Sequence, residues 1–118
     1  MTTEEFTAAL ESSPEIQLTV TGRKSGREIS IPVWFVREED RLYLVPVNGA
    51  DSDWYKNVQK VPTIHLAVGG AEVTGRAAPV DGAARVSQIV DMFRAKYGAQ
   101  NVAQYYPKTD VAVGVTLS

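Results

Sequence analysis

Between two runs rich in β-branched residues the chain reads Thr21-Gly22-Arg23-Lys24-Ser25-Gly26-Arg27, three cations and two glycines in one short segment. Such a segment suits an anion. Glycines let backbone N–H groups turn inward around phosphate oxygens, while Arg offers a planar fork and Lys a point charge. No other stretch concentrates this chemistry so tightly, and the chain as a whole carries a formal net charge of -2. The positive charge is therefore local and fits a small anionic ligand; a solvated hairpin turn is the alternative reading of the same residues.

Other chemistries find little support. The sole histidine, His65, sits among Ile64, Leu66 and Ala67, a setting that fits a structural strand position better than catalysis. With no cysteine and one histidine, no familiar zinc pattern can be assembled, and disulfides and thiol catalysis are excluded. No nucleophile elbow is present. A pI near 5.3 argues against nucleic acid as a partner, because non-specific affinity for phosphate backbones needs excess Lys and Arg. Chemistry carried by a bound cofactor suits this composition, since the protein then mainly binds and orients.

The elements that must position the basic segment follow from periodicity. At 118 residues, 44% of them hydrophobic and 22% charged, the chain is expected to fold as a single domain spanning residues 1–118. Thr2 and Glu5 have capping-box spacing, so a short helix carrying Phe6 and Leu10 is expected to pack as a lid. Ile16, Leu18 and Val20 alternate with polar residues and predict a strand; Ile29 to Val36 predicts a second, on an edge because of Pro32. Glu38 to Asp40 is expected to turn the chain into a third strand, Arg41 to Val47, apolar enough to be buried on both faces and ended by Asn48-Gly49. Asp53 is read as the cap of a short helix running to about Lys60, with Trp54, Asn57 and Val58 facing inward.

Two strands, Thr63 to Val68 and Ala71 to Val80, are expected to be joined by a tight turn at Gly69-Gly70. Asp81 is read as the cap of the longest helix, with Val86, Ile89, Val90, Phe93 and Tyr97 on the buried stripe, Arg85, Gln88 and Lys96 away from it, and Gly98 as its stop. A polar segment with Tyr105 and Tyr106 then leads to a closing strand through Val111, Val113 and Val115. About six strands with a long helix before the last predict an antiparallel α+β domain or small barrel, with the basic loop and the Asn48 to Asn57 segment at one mouth. No run of about 18 apolar residues occurs, and Glu4, Glu5 and Glu11 do not make a signal peptide, so a cytoplasmic protein without an integral membrane segment is expected.

The order Thr21-Gly22-Arg23-Lys24-Ser25-Gly26, Pro32-Val33-Trp34-Phe35-Val36, Asn48-Gly49, Trp54-Tyr55-x-Asn57 and Pro62 resembles the deazaflavin-dependent nitroreductase family, the F-420-dependent oxidoreductases. The resemblance covers roughly residues 16 to 70. It implies a split β-barrel of the FMN-binding-like kind, a homodimer, and hydride transfer between coenzyme F-420 and a small organic acceptor such as a quinone, nitroaromatic or enone. Carried over by position, Arg23, Lys24, Ser25 and Gly26 would hold the cofactor's phosphate and acidic tail, with Arg27 as the nearest further cation. Val47 and Asn48 would edge the ring, and Trp54 and Asn57 would line the cofactor groove. Tyr97, Tyr105 and Tyr106 are candidates for the acceptor pocket. The chain departs from many relatives at Ile29, where they carry a basic residue, and at the shorter loop before Trp54. The alternatives are FMN as the cofactor, or a non-catalytic module of the same fold that binds F-420, FMN or another anionic or lipophilic ligand.

Overall fold

The structure is a computed structural model that describes residue 6 and residues 8–10, 13–38, 41–80, 82–106 and 108–116. Its seven strands are β1 (Glu15–Thr21), β2 (Glu28–Trp34), β3 (Val36–Glu38), β4 (Arg41–Leu44), β5 (Thr63–Val68), β6 (Ala71–Pro79) and β7 (Val113–Thr116). The α-helices described over their whole length are α1 (Asp53–Lys60), α2 (Ala83–Tyr97) and α3 (Ala99–Tyr105), and residue 6 and residues 8–10 are helical as well. The strands form one sheet in the order β2-β1-β5-β6-β7-β4-β3, with every pairing antiparallel.

The ends of that order, β2 and β3, are consecutive in the chain and separated by Phe35 alone. The single run expected from Ile29 to Val36 thus splits at Phe35: its first part pairs with β1 and its second with β4. This raises the strand count from about six to seven. The long β6 divides its pairing likewise, with Arg76 opposite Thr63 of β5 and Ala77 opposite Val115 of β7. Two segments therefore cross between half-sheets and curl the whole into a split barrel. At the β6 crossing a side chain on Gly75 would come within 2.8 Å of Val115 Cγ1, so glycine permits the close approach.

Two apolar layers hold the barrel. Ile16, Leu18 and Val20 of β1, Leu42 and Leu44 of β4, and Ile64 and Leu66 of β5 fill the interior together with the helical residues Phe6 and Leu10, all fully or nearly fully buried. On the opposite face Val36, Tyr43 and Val45 meet Val86, Ile89, Val90 and Phe93 of α2. The third strand is thus buried on both faces. It ends at Leu44 rather than Val47, ahead of Pro46, which lacks a donor for the ladder. Burying each such Leu, Ile or Phe contributes roughly 1.5–3 kcal/mol before chain entropy is counted.

Several local expectations meet competing contacts. Asp53 is the first residue of α1 and Ser52 is its N-cap, but the Ser52 hydroxyl accepts from the Asn48 N–H at 2.8 Å instead of capping the helix. Gly82 occupies the N-cap of α2; Asp81, the Thr2–Glu5 capping box, Glu11, Glu39 and Asp40 lie outside the described residues. Gly98 ends α2 at φ 95°, as its position implies, and the segment after it forms α3 rather than an irregular link. Arg85 and Lys96 do not simply point away. Arg85 donates to Glu38 at 2.7 Å and to the Tyr43 hydroxyl at 3.0 Å, and Lys96 donates to the Phe35 carbonyl at 2.9 Å with its Nζ 3.4 Å from the Phe35 ring centroid. The Gly69-Gly70 turn, both residues at positive φ, joins β5 to β6 as expected.

Candidate functional site

The residues of β2 explain why a groove exists. Ile29, Ile31 and Val33 stand opposite Val20, Leu18 and Ile16 of β1, and directly opposed residues share a face. The β1 members are buried, whereas Ile29 is 42% exposed, because β2 is the sheet's edge and no strand among the described residues pairs beyond it. The apolar interior therefore opens sideways along β2. The resulting groove has a volume of about 620 Å³, within the usual range for small-molecule and cofactor sites.

Four pieces of chain frame it: the β1–β2 hairpin, the stretch from Val45 to Ser52, the first turns of α1, and the end of α3. Of the residues that the sequence suggests, Val47, Asn48, Trp54, Asn57, Tyr105 and Tyr106 all line it. Trp34 does as well, so both tryptophans of the chain face this groove. Ile29, Val47 and Tyr105, the three exposed large hydrophobic residues among those described, all lie in its lining.

The basic loop sits at the hairpin end. Its turn is closed by the Gly22 N–H donating to the Arg27 carbonyl at 2.8 Å and the Gly26 N–H donating to the Gly22 carbonyl at 2.9 Å, with Gly26 at φ 72°. Arg23 anchors it. Both its backbone N–H (3.1 Å) and its Nη1 (2.7 Å) donate to Oδ1 of the buried Asn57, and its Nη2 lies 3.9 Å from the Asp53 carboxylate. Ser25 accepts from the Arg27 N–H at 3.2 Å, which orders the tip. Lys24, Ser25, Gly26 and Arg27 are exposed, and neither the Lys24 nor the Arg27 side chain has a partner among the described residues. Two unspent cations thus stand on a loop fastened to the groove wall.

Tyr97 does not line the groove. Its ring stacks on Trp34, and its hydroxyl lies 2.5 Å from the Pro14 carbonyl and 3.0 Å from that of Phe35, so it supports the wall from behind. The mouth is stitched together on another side. Asn48 forms a parallel bridge with Lys108, and Lys108 also pairs with Asp51. Between them Gly49 adopts φ 58°, and a side chain there would collide with the Asp110 carboxylate. Burial raises the Tyr106 phenol well above the ordinary tyrosine range, with proximity to Tyr97 adding to the shift, so it keeps its proton and can serve as a hydrogen-bond donor.

A family model matches residues 2–118 of the chain. The chain belongs to the F420H(2)-dependent quinone reductase family. Membership makes it an F-420-dependent oxidoreductase, with coenzyme F-420 as its cofactor. Among solved structures it is similar to an F420-H2 dependent reductase at 28% identity and TM-score 0.68, covering 86% of this chain and 93% of that one. A protein described as a domain-swapped dimer matches at 23% identity and TM-score 0.70 over 95% and 94% of the two chains. The heme storage protein HutZ of Vibrio cholerae matches at 12% identity and TM-score 0.74 over 98% and 89%. These last two likenesses establish the split-barrel fold alone. Comparison with curated proteins finds no match.

The groove fits the family's cofactor on its own chemistry. A flat ring needs apolar walls, which the groove lining supplies, and a phosphate needs unspent cations, which stand outside that lining on the loop that Arg23 ties to the groove residue Asn57. Trp34 and Arg23–Asn57 are what reading the sequence alone misses: an indole within an apolar strand looks like core, and a contact between residues 34 positions apart has no local signal.

Proposed function

We propose that the groove is where reduced coenzyme F-420 reduces a small, lipophilic, uncharged acceptor of the quinone class. When bound, the reduced cofactor supplies a hydride. The protein's part is to hold, orient and hydrogen-bond the acceptor. Lys24 and Arg27, with the hydroxyl of Ser25 and the amides about Gly26, hold the phosphate and acidic tail, and Arg23 and Asn57 fix the loop that presents them. Trp34 and Trp54 provide flat walls; Val47 and Asn48 edge the ring from the loop that Ser52 steadies. Tyr106, protonated at neutral pH, donates a hydrogen bond to an acceptor oxygen, and Tyr105 covers the acceptor at the rim.

The observation that carries this reading is the anchoring of a cation-rich loop to Asn57, a residue of the apolar groove itself. Fluorescence titration of the purified protein with F-420, FMN and FAD tests it, followed by oxidation of reduced F-420 with menadione. Micromolar or tighter binding of F-420 with turnover is expected; preference for FMN, or no binding of any of the three, overturns it.

The reading takes the chain as one domain acting in the cytoplasm as a homodimer. No helix among the described residues is long and apolar enough to cross a membrane. One solved neighbour is a domain-swapped dimer, and the exposed Ile29, Val47 and Tyr105 offer apolar surface that a second copy would cover in part. Sedimentation at micromolar concentration decides it, and a monomer throughout removes the dimer from the reading.

A further inference from the structure

The groove is electrically polarised along its length. Just outside the lining at the hairpin end stand Lys24 and Arg27, with Arg23 paired to Asp53; at the other end, where β1 begins, Glu15 lines the groove directly opposite Trp34 in the strand register. β1 is 7 residues long, so its rise of about 3.3 Å per residue separates the two ends by roughly 20 Å. That is about two and a half Debye lengths at physiological salt, and each end presents its own charge to whatever lies beside it.

Glu15 and Asp53 are the carboxylates in the lining. Asp53 faces the Arg23 guanidinium at 3.9 Å, whereas the exposed Glu15 side chain has no ion pair or hydrogen bond among the described residues. Its field is felt locally. The Tyr97 phenol is raised above its ordinary value first by burial and also by the Glu15 charge, while a hydrogen bond to the Phe35 backbone opposes the shift. An unneutralised carboxylate therefore stands beside the Trp34–Tyr97 stack, at the end of the groove farthest from the cations.

We propose that Glu15 sets the charge specificity of the acceptor end, admitting neutral or cationic acceptors and rejecting anionic ones. The inference rests on the reading of the groove as the cofactor and acceptor site, and assigns a selecting residue within it. An anionic group brought to about 4 Å from Glu15 meets a repulsion of about 1 kcal/mol in water, a discrimination of about fivefold. Specificity built on one repulsive contact needs no added attraction for the favoured ligand. The same carboxylate discourages the cofactor's own anionic tail from lying reversed in the groove.

Both tryptophans line the groove, so quenching of intrinsic fluorescence reports occupancy without turnover. Menadione and a sulfonated naphthoquinone of similar size are titrated against the wild-type protein, Glu15→Gln and Glu15→Lys. Expected is a ratio of sulfonate Kd to menadione Kd that falls about fivefold in Glu15→Gln and further in Glu15→Lys, with menadione itself unchanged within twofold. Added salt should narrow the wild-type ratio. A ratio that stays the same in both variants, or a shift that both quinones share equally, overturns the proposal. Oxidation of reduced F-420 is followed in parallel. Charge-selective binding without any quinone reduction would sink the functional reading and leave the role of Glu15 standing; reduction with an unaltered ratio would do the reverse.

Discussion

Tyr97 lies nearly parallel to the Trp34 indole, with ring centroids 4.2 Å and planes 10° apart, while its hydroxyl oxygen accepts the Phe35 N–H at 3.1 Å. One side chain near the end of α2 thus fixes a groove wall and supplies the hydrogen bond at the residue between β2 and β3. Lys96 adds a second tie to the same residue through the Phe35 carbonyl.

Removing the hydroxyl while keeping the ring separates these roles. Tyr97→Phe is expected to lose about 1–3 kcal/mol of stability, because the Phe35 N–H loses its partner and the Pro14 carbonyl loses its donor. Urea denaturation measures this, and an unchanged midpoint would show that solvent satisfies both groups. Tyr97→Ala should cost more and also weaken cofactor binding, since Trp34 loses its backing.

Alkaline pH provides another test. Burial raises both Tyr97 and Tyr106, so in the folded state these phenols hold their protons beyond the pH at which the unfolded chain releases them. The stability they contribute is fully present below about pH 10 and is lost progressively as pH climbs from there toward the raised values. A plot of unfolding free energy against pH should turn downward above about pH 10, and Tyr106→Phe should flatten the slope. An identical slope in that variant would place the effect elsewhere.

The cations of the basic loop should divide by what holds them. Lys24→Ala with Arg27→Ala removes side chains that have no partner among the described residues, so stability should change by less than about 0.5 kcal/mol. F-420 affinity should fall by tens of fold, with a shallower dependence on salt than in the wild type. Arg23→Ala should lower stability and affinity together, because the tie to Asn57 goes with it. Equal loss of stability in both variants would contradict this division.

Gly49→Ala tests the stitched mouth. A left-handed backbone at φ 58° costs an alanine roughly 1–2 kcal/mol, and the Asp110 carboxylate must also move. The expected result is lower thermal stability and weaker F-420 binding, since Asn48 belongs to the displaced loop. Retention of both would show that Asp110 swings away freely.

Much of this fold can be read locally. The alternation in β1, the Gly69-Gly70 turn, the stop at Gly98 and the inward face of α1 each follow from the residues that form them. The break at Phe35 does not, because an apolar residue inside an apolar run looks the same whether the ladder continues or switches partner. α3 is equally silent: Val102 is its one buried residue, so there is no apolar stripe to detect. In the site, Trp54 and Asn57 follow from helical spacing and meet at the groove. Trp34 and Glu15 do not, since their exposure depends on β2 being an edge, which only the assembled sheet determines.

The barrel's two outermost strands are neighbours in the chain, with Phe35 as their sole link. Severing the backbone there would leave every ladder intact yet release the closure. β2 and β3 are already the two edges of the sheet, so the cut would let margins that the chain now holds side by side move apart, each with a row of backbone groups able to pair with a foreign strand. Continuity at Phe35 thus keeps the two edges in company, and any circular reordering of the gene product should keep it whole.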